Sequence, residues 1–212
     1  MVLATDEEAK AVQNLAEFGT TAIVEAGQLA RYVGRVLGTI PEDLVGIVLG
    51  EPLRYVRTVI AGNIDRRVSD IHRVRNVEKL QPVSPSLAIP MLQAAYDETR
   101  PELQELWARL IAAAMDPARA GRVRQSFIAT LKRLDPLDAR ELEALAGISG
   151  SASPNFRDFL ANRLGTSTDE IVISTFNLVD QKCVSWSPQG AISSPNFQMT
   201  AYGRALIRAC FD

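Results

Sequence analysis

Apolar residues recur at helical spacing along most of the chain, most clearly in 101-PELQELWARLIAAAMDP-117. Leu103, Leu106, Trp107, Leu110, Ile111 and Ala114 fall on one face of a 3.6-residue period. Pro101 suits a first turn, where its missing N–H has no partner to lose, and Asp116 before Pro117 marks the stop. Thr99 with Glu102 predicts a capping box, and Glu105 with Arg109 an ion pair one turn apart. The same period predicts a helix over 7–35, a polar helix over 61–80 and a further helix over 89–98. Between them, 36-VLGTIPEDLVGIVLGEPLRYVRTVIAG-62 reads as two core-packed helices joined near Pro41, and 81-QPVSPSLAIP-90 as a connector marked by its prolines. The face of Leu103, Leu106, Trp107, Leu110 and Ile111 carries no polar atom except the indole N–H, so its expected role is structural.

Past Pro117 the apolar pattern lapses as far as Arg124, and Arg119, Arg122, Arg124, Lys132 and Arg133 follow without acidic counterweight. This is the expected domain boundary. Asp135 and Pro136 then start a helix with Leu137, Leu142 and Leu145 inward, and Ser153 with Pro154 starts a second that Gly165 closes. A third helix is expected over 168–183, a hairpin over 184–200 with Phe197 and Met199 inward, and a last helix from a Thr200 cap through Phe211. Helix, helix, helix, hairpin, helix resembles a winged helix-turn-helix domain. The expected fold is therefore mainly α: an N-terminal helical bundle over 1–125, followed by a small winged helix-turn-helix-like α+β domain over 126–212.

Charge qualifies what such a module can do. Its third helix would enter the major groove, with Val172, Phe176, Val179 and Cys183 buried and Glu170, Ser174, Asn177 and Gln181 as the contact face. Yet residues 134–212 carry six basic and nine acidic side chains, a net charge of −3. Phosphate contacts supply most DNA affinity and need Lys or Arg, so this helix is a poor DNA reader. Positive charge gathers instead at Arg54, Arg57, Arg66, Arg67, Arg73, Arg75 and Lys79, a candidate interaction surface for phosphate, acidic protein or anionic lipid. A solvated helix face is the plainer reading. The whole chain has 212 residues and a net charge of −2, with 47% hydrophobic residues, so no global field attracts polyanions.

Candidate chemistry is sparse. His72 is the single histidine, and Cys183 and Cys210 are the two cysteines, expected as buried thiols in a reducing cytoplasm. No zinc site of usual spacing, nucleophile elbow, phosphate loop or dinucleotide fingerprint is present. The carboxylate pairs Glu7/Glu8, Asp97/Glu98 and Glu141/Glu143 fall on faces expected to be exposed or at helix ends, where solvation and capping account for them. The expectation is a non-enzymatic protein with no catalytic residue, metal or cofactor. The stretch MVLATDEEAK has neither a basic leader nor an apolar run, so no secretory signal is expected, and the 36–62 tract lacks the uncharged run that a membrane span needs.

The order of parts adds a context. The segments 31-RYVGRVLGTI-40, EPLRYV at 51–56, QPVSPSLAIPMLQAA at 81–95, PELQELWARLIAAAMDP and 126-SFIATLKRLDPLDARELEAL-145 resemble the abortive infection alpha family of bacterial proteins. The resemblance spans about 28 to 146, with the L-Q-E-L-W-A-R-L-I stretch and the S-F-I-x-x-L-K-R-L-D-P-L-D-A-R run as its most specific parts. Where that family often has a His-Pro pair, this chain has Arg124 and Gln125, so no role of that pair carries over. The resemblance implies phage defence as a context and supplies no mechanism. Three readings follow: a cytoplasmic defence protein working through contacts with another protein; a winged-helix DNA-binding regulator; or an effector that takes the 36–62 tract to a membrane on activation. A homo-oligomer is compatible with each.

Overall fold

The computed structural model describes residues 34–36, 54–146, 156–187 and 196–211, and gives residues 54–56, 186–187 and 196 as backbone alone. The expected helix over 7–35 and the Pro41 junction lie outside the described residues, apart from the helical residues 34–36. Chain order is α1 (Arg54–Val74), α2 (Pro85–Tyr96), α3 (Pro101–Met115), a 3-10 turn (Ala120–Arg122), α4 (Gln125–Leu131), α5 (Pro136–Ala146), α6 (Phe156–Leu164), α7 (Thr168–Asp180), β1 (Val184–Ser187), β2 (Asn196–Met199) and α8 (Ala201–Cys210). The protein is mainly α, with one small antiparallel sheet near its C-terminus.

Helix α3 is the hub. It packs against α1, α2, α4, α5, α8 and the 3-10 turn. Not one face but nearly the whole helix is buried, from Leu103 to Met115, because Ala108, Ala112 and Ala113 bring neighbours close on the side opposite Trp107. Its start differs from expectation. Arg100 is the N-cap, and no side-chain cap forms from Thr99; the Glu98 carboxylate instead accepts from the Arg100 N–H at 2.9 Å. Glu105 and Arg109 pair at 2.8 Å as expected.

Two boundaries move. The end of the aliphatic tract and the polar segment beyond it form the single 21-residue helix α1. Pro85, expected in the middle of a connector, opens α2, and Pro90, expected at the connector's end, lies inside that helix. A proline that early deprives only the carbonyl four residues back, on exposed Ser86, of its N–H.

The C-terminal elements appear in the expected order. Asp138 accepts from the Asp135 N–H at 2.7 Å, the return half of a capping box at the start of α5. Gly165, with φ +66°, closes α6, and the Ser167 hydroxyl caps α7 by accepting from the Glu170 N–H. In the hairpin Val184 pairs with Met199 and Trp186 with Phe197, which places Phe197 in the core. The Thr200 hydroxyl accepts from the Gly203 N–H at 2.9 Å and caps α8. Tyr202 of α8 donates to the Ser126 carbonyl and stands edge-on to Phe127, fastening α8 to α4. One buried cluster joins Ile60, Leu92, Trp107 and Phe127 to Leu142, Leu178, Phe197 and Leu206, so core side chains from both sides of position 125 touch.

Candidate functional surfaces

Four of the seven cations named as a candidate surface have partners among the described residues. Arg57 donates to Asp97 at 2.7 Å, Arg67 to Glu105 at 2.7 Å and Arg73 to Asp70 at 2.8 Å. Arg66 donates to the Asn63 side chain and the Gly62 carbonyl. Lys79 is exposed, and of Arg54 only the backbone is described. Arg75 turns inward, and its Nη1 is buried without a hydrogen-bond partner. Glu105 shows how the pairing acts: burial pushes its carboxyl up, but the Arg67 and Arg109 guanidiniums outweigh that and hold it below the usual range. The Arg57 and Arg67 pairs tie α1 to the end of α2 and to α3, the plainer, structural use of those charges, while Arg66 and Arg73 are engaged within α1. A groove of about 260 Å³ beside the Arg57–Asp97 pair is lined also by Gln93, Ile128 and Lys132.

Helix α7 is rotated relative to the expected face. Glu170 is exposed, but Ser174 is 3% exposed, while Asn177 and Gln181 are half-buried. The buried stripe is Ile171, Ser174, Thr175 and Leu178, and Phe176, expected inside, is 51% exposed. The cause lies on α5, where Asp138 and Glu141 are buried rather than solvated. Ser174 donates to Asp138 at 2.7 Å and Thr175 to Glu141 at 2.8 Å, while Asn177 donates to the other Asp138 oxygen. Buried hydroxyls are tolerated where such partners wait. The signal was present in the sequence: Asp138, Glu141, Leu142 and Leu145 share one helical stripe, as do Ile171, Ser174, Thr175 and Leu178.

Glu141 is 1% exposed, and its Oε2 has no hydrogen-bond partner. Burial raises its carboxyl to about 7, with the Ser174 and Thr175 hydroxyls pulling the other way and the Asp138 charge adding to the rise. Glu98, the other carboxylate expected outside, is 8% exposed. Burial pushes it up, but Arg100, bound through Nε and Nη2, holds it below its usual value. Arg100 also reaches Asp135 at 3.0 Å and so ties the start of α3 to the start of α5.

The rotation of α7 has an outward consequence. Ile173 is 63% exposed and Phe176 51%, and on α6 Phe159 is 47% exposed. Along α7 the order Asp169, Ile173, Phe176, Asp180 follows one face, an apolar centre with an exposed carboxylate at each end. His72 does no visible chemistry: its Nε2 lies 3.0 Å from the Ala112 carbonyl, which fixes the proton on that nitrogen. Cys183 and Cys210 are free and buried, and burial pushes each thiol up to about 12. Among the described residues no group of His, Cys, Asp and Glu could hold a metal ion, and no helix is long and apolar enough to cross a membrane.

Among known families, the model described as abortive infection alpha matches residues 59–189. The match begins later than the sequence motifs suggested and runs further, taking in α6, α7 and β1 as well. No curated protein and no solved structure matches the chain.

Proposed function

The chain belongs to the abortive infection alpha family, and from that premise we propose that it serves phage defence by contact with another protein, without catalysing a reaction. The observation that carries this reading is the exposed α7 face, with Ile173 and Phe176 between Asp169 and Asp180. Large apolar side chains more than half exposed, at adjacent positions of one helix face, are a feature of contact surfaces. The partner that fits is a protein surface apolar at its centre and basic at its edges, since the acidic ends would steer it into register. Nucleic acid fits this face poorly. Two of the four expected reading residues, Ser174 and Asn177, are engaged with Asp138, and acidic side chains flank the rest.

The test is phage challenge of bacteria expressing the protein, at low and high multiplicity. Wild type is expected to spare the culture at low multiplicity and to collapse it at high. The double variant Ile173→Lys/Phe176→Lys, changed only at exposed positions, is expected to fold and to protect at neither. Unaltered plating of a broad phage panel by wild type would overturn the defence role. Full protection by the double variant would keep that role and discard the α7 face.

A further inference from the structure

Helices α5 and α7 meet through two carboxylates as well as through apolar side chains, and the two carboxylates are held in different ways. Asp138 is 2% exposed and has three donors: the Asp135 N–H, the Ser174 hydroxyl and the Asn177 amide. A carboxylate so supplied is stable as an anion. Glu141, one turn further along α5, is 1% exposed, and its hydrogen bond is to the Thr175 hydroxyl at 2.8 Å. The Ser174 hydroxyl is near it too, but is given to Asp138 at 2.7 Å. The second Glu141 oxygen, Oε2, has no partner.

The Thr175 contact carries a proton count. That hydroxyl lies 2.8 Å from Glu141 Oε1 and 2.7 Å from the Ile171 carbonyl oxygen. It has one hydrogen to give to two neighbouring oxygens. A carbonyl has no hydrogen of its own, so both bonds form together only when the carboxyl brings the second. Protonated Glu141 then donates to Thr175, and Thr175 donates to Ile171. Loss of the proton leaves one of these oxygen pairs without a hydrogen between them. It also places a second buried charge one turn from Asp138, with no donor for Oε2. Helices α3, α6, α7 and α8 all pack on α5. From α7 come the Ser174 and Thr175 hydroxyls, and among the described residues Asp138 is the only charged group that bears on Glu141.

We propose that Glu141 is a proton-operated latch between α5 and α7, closed while its carboxyl is protonated and released when it ionises. Release loosens the buried stripe of Ile171, Ser174, Thr175 and Leu178 from α5, and with it the hold on Ile173 and Phe176 on the outer side. As regulation of a contact surface the latch rests on the contact role of the α7 face. As a property of the helix it does not, and the experiment tests the helix alone.

Hydrogen exchange of the full chain at pH 5 and pH 8, corrected for the intrinsic pH dependence of exchange, measures the opening of each helix. With its carboxyl raised from 4.5 to about 7 by burial, docked Glu141 binds its proton more tightly than released Glu141. Opening is therefore rarest at low pH and grows as pH rises through that window. Corrected exchange of the α7 amides is expected to be on the order of fiftyfold faster at pH 8 than at pH 5, and at pH 8 faster than that of α3. Glu141→Gln, a neutral mimic of the acid, is expected to exchange its α7 amides at one corrected rate at both pH values. If that variant does not fold, Glu141→Leu, which has no proton to lose, is read in its place. Equal corrected rates for wild-type α7 at the two pH values overturn the proposal. So do α7 amides no faster than those of α3 at pH 8, which would mean that only the whole chain opens. A pH dependence that survives in the variant that is read overturns it as well.

Discussion

Single side chains already separate what is indispensable from what is merely helical. Gly203 and Gly62 both lie inside helices, where alanine normally gains about 0.5–1 kcal/mol over glycine. A Cβ at Gly62 meets nothing within 4 Å, so Gly62→Ala is expected to stabilise by that amount. A Cβ at Gly203 falls 2.0 Å from the Cys183 carbonyl oxygen and 2.6 Å from the Met199 sulfur. Backbone must give way there, and Gly203→Ala is expected to cost roughly 2 kcal/mol or more in urea unfolding. Equal effects from the two substitutions would refute this account of the α8–hairpin junction. Glu141 is informative in another way. Its folded carboxyl, raised from 4.5 to about 7, binds its proton more tightly than in the unfolded chain. The folded state therefore holds more protons between those values, and stability is lost as pH rises through that window, not as it falls. Glu141→Gln should remove this loss, gaining on the order of 3 kcal/mol over wild type at pH 8 and little at pH 4. Denaturation midpoints that fall in parallel for both proteins from pH 4 to 8 would show that Glu141 is not the group.

At the scale of elements, α3 answers for the assembly. Trp107 is 1% exposed, so Trp107→Ala is expected to lose about 3–5 kcal/mol. Its Nε1 is buried without an acceptor, and Trp107→Phe removes that donor along with part of the volume. The phenylalanine variant should therefore cost clearly less than the alanine one; equal losses would mean the indole nitrogen matters more than packing. This helix was legible in the sequence because proline, period and stop agreed. So were α8, from Thr200, and the close of α6, from Gly165. The face of α7 was not. Period alone separates apolar from polar, and Ser174 and Thr175 are buried only because Asp138 and Glu141 face them from another helix. The start of α2 was missed for a related reason: proline breaks a helix only where an N–H is needed, and Pro85 stands where none is. The fate of the α1 cations was equally hidden, since Asp97 and Glu105, which pair with Arg57 and Arg67, lie 40 and 38 residues away in the chain.

At the scale of the whole molecule, the lapse of pattern around Pro117–Arg124 bears on cooperativity. The buried cluster draws on Ile60, Leu92 and Trp107 from one side of it and on Leu142, Leu178, Cys183, Phe197 and Leu206 from the other. The smaller cluster of Ala144, Leu160, Ala161 and Ile171 lies under α6 and α7, next to that core. A core shared in this way should unfold as one unit. The chain supplies its own probes for both halves. With Trp186→Phe, the remaining tryptophan, Trp107, reports on α3. Cys183 and Cys210, raised to about 12 by burial, stay protonated and unreactive until the β1–α8 region opens. Loss of Trp107 fluorescence and gain of thiol reactivity are expected at the same urea concentration. Thiols that react well before the fluorescence changes would mean that residues 126–212 open by themselves, as a division into two independent domains requires.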